Sequence, residues 1–217
     1  MERYCIFGDY NTLDWNLILT DLELTPPEPK TYLVDIDGVD GSIDLSESLS
    51  NGIVYKDRTF KATFLTDEGK RSDRAELLNT IRNCIHGRKL EIIEPDDLEH
   101  HLIGRIRITE ETNNLSYATI TVEAACEPYR YANDITIRKF TVSNSKPKTM
   151  IIINNGSKII TPSITVEGSV EMIFKDGTVS LSTGSYKVYD LKFYPGNNII
   201  EITGKGSVTL EYIEGYV

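Results

Sequence analysis

Between Asp73 and His86 the apolar residues Leu77, Leu78, Ile81, Cys84 and Ile85 recur at the three-and-four spacing that lines one face of an α-helix. Asp73 and Glu76 stand in the D-x-x-E arrangement of a capping box, and Gly87 stands where a helix ends on a left-handed residue. One helix is therefore expected over residues 73–86. Beyond it the period changes to two. A strand from Arg88 to Glu94 leads into the turn-forming Pro95-Asp96-Asp97. In His101–Thr109, Leu102, Ile106 and Ile108 share one face, and Arg105 and Arg107 share the other. Leu115–Cys126 sets Ala118, Ile120, Val122, Ala124 and Cys126 against Thr119, Thr121 and Glu123. The expected arrangement is an antiparallel meander beside a helix. If Ile108 faces Ile120 across an Asn113-Asn114 turn, Arg105 lies opposite Glu123. Upstream, Tyr32–Ile36 and Tyr55–Leu65 read as strands, while the prolines of Thr25-Pro-Pro-Glu-Pro29 require an edge or a loop.

From about Arg130 helical periodicity disappears. Short alternating runs recur every eight to twelve residues, separated by Asn154-Asn155-Gly156, Asp176-Gly177, Pro195-Gly196 and Gly204-Lys-Gly206. Ile164 and Val166, then Val170, Met172 and Phe174, then Tyr189, Leu191 and Phe193, then Ile200 and Ile202, and last Val208, Leu210 and Tyr212 are the inward candidates. That spacing predicts a β-sandwich or jelly roll. The fold class expected is mainly β (β-rich α+β). An N-terminal antiparallel domain with one helix covers residues 1–128, and a C-terminal β-sandwich covers 129–217, with the linker at 127–132.

Charge sharpens this division. The 217 residues carry a net charge of −10, with residues 1–130 holding 14 bases against 25 acids and residues 131–217 holding 9 against 8. An acidic surface repels phosphate backbones, so specific nucleic-acid binding is not expected. The longest apolar run, Met150–Ile153, is far short of the roughly 20 residues that span a bilayer. The amino-terminal stretch carries acids where a signal peptide carries bases, so folding in a cytoplasm is expected. Cys5, Cys84 and Cys126 form no CxxC pair and read as small core residues.

Candidate chemistry adds little. Asp35, Asp37, Asp40 and Asp44 fail the EF-hand register, because Val39 and Asp40 fall where an oxygen ligand and a glycine are needed. Tight turns using Gly38 and Gly41 are the better reading. Asp96, Asp97, Glu99, His100 and His101 are dense in possible ligands, yet adjacent histidines on a strand point to opposite faces. His86 at the helix terminus suits the helix dipole. No GxSxG, phosphate loop or HExxH is present, so no enzyme, cofactor or metal site is expected. The tyrosines at 186, 189, 194, 212 and 216 leave open an alternative, a carbohydrate-binding module acting in host-surface recognition.

Four segments, in order, resemble the distal tail (Dit) proteins of long-tailed bacteriophages that infect Gram-positive hosts. They are Pro29-Lys-Thr-Tyr-Leu-Val-Asp-Ile-Asp-Gly-Val-Asp-Gly-Ser-Ile-Asp-Leu45, Tyr55-Lys-Asp-Arg58, the Glu127-Pro128-Tyr129 junction, and Tyr194-Pro-Gly-Asn-Asn-Ile-Ile-Glu-Ile-Thr-Gly-Lys-Gly-Ser-Val-Thr-Leu-Glu-Tyr212. The chain departs from the family pattern at Asp37, where proline is usual, and at Asp57, where asparagine is usual. The resemblance implies a structural virion protein of the tail tip or baseplate, assembled in the host cytoplasm. Its first domain would be a belt that forms a homo-oligomeric ring, commonly a hexamer. Its second would be a peripheral, galectin-like domain. Expected partners are further copies of the chain, the tail tube protein, the tail-tip or baseplate hub protein and receptor-binding protein. DNA would pass through the ring, and no membrane is involved. Asp37, Asp40, Asp44, Tyr55 and Arg58 are the expected assembly residues.

Overall fold

The computed structural model describes residues 3–48, 52–143 and 147–217, which divide into compact units of Met1–Arg130 and Tyr131–Val217. The first unit runs β1 (Ile6–Phe7), β2 (Tyr10–Asn11), β3 (Ile18–Leu24), β4 (Leu33–Asp35), β5 (Ser42–Asp44), β6 (Arg58–Thr66), α1 (Arg71–Ile85), β7 (Lys89–Glu94), β8 (Asp97–Asn113) and β9 (Ala118–Cys126). Seven of these strands form an antiparallel sheet in the order β2-β1-β7-β8-β9-β6-β3. The period-two faces of β6 and β9 explain the core. Phe60, Ala62 and Phe64 alternate inward from β6, and Ala118, Ile120, Val122, Ala124 and Cys126 do so from β9. Phe7 meets Phe60 and Phe64 edge to face at 6.1 and 6.2 Å, geometry worth about 0.5–1.5 kcal/mol per pair beyond burial.

Helix α1 lays Leu78, Ile81 and Ile85 on this sheet, as its periodicity requires. It begins two residues earlier than the capping pattern implies. Asp73 is not the cap but the third helical residue, and its carboxylate accepts the backbone N–H of Lys70 at 3.0 Å. Gly87 follows the helix at φ +77, where a side chain would be strained. Arg74 is buried in the first turn. It donates to the carbonyls of Gly69 (2.7 Å), Asn114 and Leu115 (2.9 Å each), tying the β8–β9 turn to the helix start. The β8–β9 register differs from the expected one by two residues. Ile108 faces Val122, and Arg107, not Arg105, lies opposite Glu123, donating to it at 3.1 Å. An irregularity between Ile108 and Glu110 consumes one residue, and the turn is longer than two.

β10 (Arg130–Ala132) begins on the last residue of the first unit, and the second unit continues with β11 (Thr136–Val142), β12 (Lys148–Asn154), β13 (Ser163–Phe174), β14 (Gly177–Tyr186), β15 (Gly196–Tyr212) and β16 (Gly215–Tyr216). β15 is the spine. It pairs β13 along one edge, and β12 then β11 along the other, with β14 outside β13. Ile164, Val166, Val170, Met172, Leu191, Phe193, Ile200, Ile202, Val208, Leu210 and Tyr212 are buried as expected. Tyr189 is not. It is 73% exposed, because it sits in the turn after β14, where strand alternation has ended.

The β13–β15 ladder crosses at three glycines with positive φ: Gly168, Gly204 and Gly206. A Cβ on Gly206 would stand 2.0 Å from the Glu167 carbonyl oxygen, and one on Gly168 would stand 2.3 Å from that of Lys205. Backbone passes backbone too closely for any side chain. Gly206→Ala therefore combines a clash with a strained φ and should destabilise the second unit by more than about 2 kcal/mol. Denaturant unfolding measures this; a loss below about 0.5 kcal/mol would show that the strands separate without cost.

Candidate assembly surfaces

Strands β4 and β5 pair only with each other among the described residues, as Leu33 with Asp44, Val34 with Ile43 and Asp35 with Ser42. The turn between them uses Gly38 and Gly41 at φ +84 and +77. Its aspartates serve local geometry. Ser42 Oγ donates to Asp35, and Asp44 accepts the backbone N–H and the hydroxyl of Ser46, which holds its carboxyl below the usual value. Asp37 and Asp40 stand exposed around the tip. Among the described residues from Tyr32 to Val54, eight large apolar side chains are exposed, Leu33 at 57% and Val39 at 54% among them, and none of these belongs to either hydrophobic core. The hairpin is an apolar and acidic arm that these cores do not cover. At its base the Lys30 N–H donates to Val54 and the Lys56 N–H donates to Glu28, both at 2.7 Å. Tyr55 meets the Tyr129 ring edge-on at 6.1 Å.

Arg58, another of the expected assembly residues, is turned into its own unit. It is only 6% exposed, with Nε on the Thr25 carbonyl at 3.0 Å and a terminal nitrogen on that of Pro128 at 3.5 Å. Burial lowers its pKa, and the like charge of Arg130 acts in the same direction. β6 starts at Arg58, so strand alternation turns its side chain inward with Phe60. Nearby, Arg130 bridges Glu94 Oε1 at 2.6 Å and Asp97 Oδ2 at 2.9 Å. Burial raises the Glu94 pKa against the pull of Arg130. For Asp97 burial acts upward as well, but His100 and Arg130 outweigh it and leave the carboxyl below 3.8. This cluster of charges closes the first unit next to Pro128, and the sequence offered no motif for it.

The other singled-out side chains lie apart from the arm. His100 contacts Asp97 at 2.8 Å, while His101 is buried and lies 4.0 Å from Glu91. His86 Nδ1 accepts the Ile108 N–H at 3.0 Å. Burial pushes the Cys5 and Cys126 thiols up to about 12, which makes them inert at neutral pH. Cys84 is half-buried against the core. The second surface that could recruit a partner is the edge strand β3. It pairs with β6 on one side and with no described strand on the other. Seven residues of backbone are thus open along that edge, with Ile18 55% exposed.

Two outcomes test the charge cluster. Arg58→Ala removes charge-assisted bonds to two carbonyls and should cost the first unit about 2–3 kcal/mol in denaturant unfolding, whatever the oligomeric state. Asp97 has a depressed folded pKa, so its contribution is present above 3.8 and is lost as pH falls through the folded value. Asp97→Asn should therefore be less stable than the parent at pH 7, with the gap closing in acid below about pH 4. A gap independent of pH would remove Asp97 from the balance.

Comparison with known proteins gives the fold a counterpart. No family model matches the chain, and no curated protein matches it by sequence. Among solved structures, it is similar to the crystal structure of the Dit protein (gp 19.1) of phage SPP1, with a TM-score of 0.74, 14% sequence identity, and 99% of each chain covered. The SPP1 protein is described as a paradigm of the hub adsorption apparatus in phages infecting Gram-positive hosts. The β-rich α+β fold of Dit is therefore shared from end to end.

Proposed function

We propose that this chain is a structural component of a bacteriophage tail, a ring-forming hub at the tail tip. The observation that carries the reading is the fold shared with SPP1 Dit over 99% of both chains. Two features of the first unit support assembly. The open edge of β3 offers backbone donors and acceptors to a strand of another subunit. The β4–β5 hairpin, with Asp37, Asp40 and Asp44, exposes apolar surface that a partner would bury. Tyr55 anchors the base of that arm against Tyr129, while Arg58 ties the loop after β3 to β6 within its own subunit. Closed cyclic symmetry lets identical head-to-tail contacts saturate without fibre growth, and six copies is the number the family resemblance implies. The ring joins the tail tube to the tip or baseplate, and the second unit docks receptor-binding components. The acidity of residues 1–130 suits a bore through which DNA passes without being held.

Sedimentation of the purified chain tests the reading. A ring should appear as a single closed oligomer, with acids outnumbering bases on the axis-facing wall in an image of the particle. Ile18→Lys on the open edge should lower the association constant roughly tenfold, about 1.4 kcal/mol. A monomer at all concentrations would instead favour the sugar-binding alternative.

A further inference from the structure

Three polar atoms around the start of α1 are buried and have no hydrogen-bond partner within the protein: Arg74 Nε, Asn113 Oδ1 and Thr66 Oγ1. Such groups are rare in folded proteins, because each costs free energy comparable to a lost hydrogen bond. The topology brings them together. Thr66 at the end of β6 pairs with Ala118 of β9, and Ala118 pairs in turn with Asn113 of β8. Residues on one rung point to one face, so Thr66 and Asn113 flank the buried Ala118 methyl on the core side. Two strand spacings, roughly 10 Å, separate their backbones, and alanine fills little of the space between their side chains.

Arg74, 2% exposed, lies over this rung. One terminal nitrogen is on the carbonyl of Gly69, three residues past Thr66, and the other is on those of Asn114 and Leu115, just past Asn113. The guanidinium therefore spans from the end of β6 to the end of β8, and Nε–H is the donor left over. Asn113 is fixed as well. Its Nδ2 donates to the Arg71 carbonyl at 2.9 Å, which leaves Oδ1 as the remaining acceptor.

We infer that one water molecule is resident at this node, where it bridges α1, β6 and β8 and steadies the β8–β9 turn. The donor set selects it. An anion would face the lone pairs of Asn113 Oδ1 and the carboxylate of Glu111, two residues earlier on the same face, whose Oε1 is also buried and without a protein partner. A cation would face the Arg74 guanidinium. A water accepts from Nε–H, donates to Oδ1 and shares a third bond with the Thr66 hydroxyl, the usual number for a buried water. Bound there, it completes the hold of Arg74 on a turn whose Leu115 stands 87% exposed. The node lies within one unit and is the same in a monomer and in a ring.

A crystal structure of the full chain, at a resolution that shows ordered solvent, is the direct test. The expected result is density for a water within about 3.2 Å of Arg74 Nε, Asn113 Oδ1 and Thr66 Oγ1. A direct bond from Arg74 Nε to Asn113 Oδ1, with no solvent between, overturns the inference. Hydrogen exchange tests the bridge in solution. The Asn114 N–H donates to the Tyr117 carbonyl across the turn at 2.8 Å. Thr66→Val removes one partner of the water at nearly constant volume and should speed exchange of that amide roughly tenfold. Thr66→Ser keeps the hydroxyl and should stay within about twofold of the parent. Exchange that is unchanged in Thr66→Val, or accelerated as much in Thr66→Ser, would show that the turn is held by packing and overturn the bridge.

Discussion

A β-sheet that does not close on itself ends in two rows of backbone groups, and most of this molecule's design follows from how those rows are treated. In the first unit one end of the sheet is β2, only two residues long, and the other is β3, seven residues long and open. Short edges are a common protection against unwanted pairing. A long open edge is its opposite. Thr20 interrupts the β3–β6 register and donates its hydroxyl to the Thr63 carbonyl, which bends the edge without closing it. The unit therefore has one end of its sheet finished and one end left available for pairing.

The same unit has to brace its open side, and the buried charges do this. Arg58 begins the strand next to β3 and reaches the carbonyls of Thr25, just past the end of β3, and Pro128, close to the end of the unit. Both carbonyls lie in half-buried loop backbone outside the strand ladders, and the guanidinium supplies them with a donor. A lysine could not span two carbonyls with a rigid fork in this way. Removing a guanidinium from water is costly, which is why its pKa falls. Glu94 helps to offset the positive charge that Arg58 and Arg130 bring together.

The helix and the strands were legible because each has one wet face and one dry face. Leu78, Ile81 and Ile85, and the alternating residues of β6 and β9, announce their burial by spacing alone. What was hidden depended on backbone geometry or on distant partners. The cap of α1 looked like Asp73 because a carboxylate three residues before another acid fits the pattern, yet the carboxylate works one turn position later by folding back on Lys70. The β8–β9 register slipped because an irregular step leaves no mark on hydrophobic alternation. Arg58 read as a surface cation because sequence shows its charge and not the carbonyls of Thr25 and Pro128. The hairpin showed in the sequence only as a glycine-and-aspartate turn region. That its apolar residues lie outside both cores is a property of the whole chain's packing.

The second unit solves the edge problem differently. Its long strand β15 serves β12 and β11 with one edge and β13 with the other, so a single strand holds three partners. Such sharing requires the ladder to bend, and the bend is possible only where Gly168, Gly204 and Gly206 let two backbones approach to distances no Cβ tolerates. The bend has a consequence for the outer face. With Met150, Ile152, Ile200 and Ile202 turned into the core, strand alternation forces Ile151, Ile153 and Ile199 outward. Lysine or threonine at those positions would keep the strands and make the face soluble, as elsewhere on β15, where Thr209 and Ser207 face out opposite Lys139 and Thr141. An isoleucine row on an outer face therefore adds nothing to the unit's own core and leaves an apolar stripe on its surface.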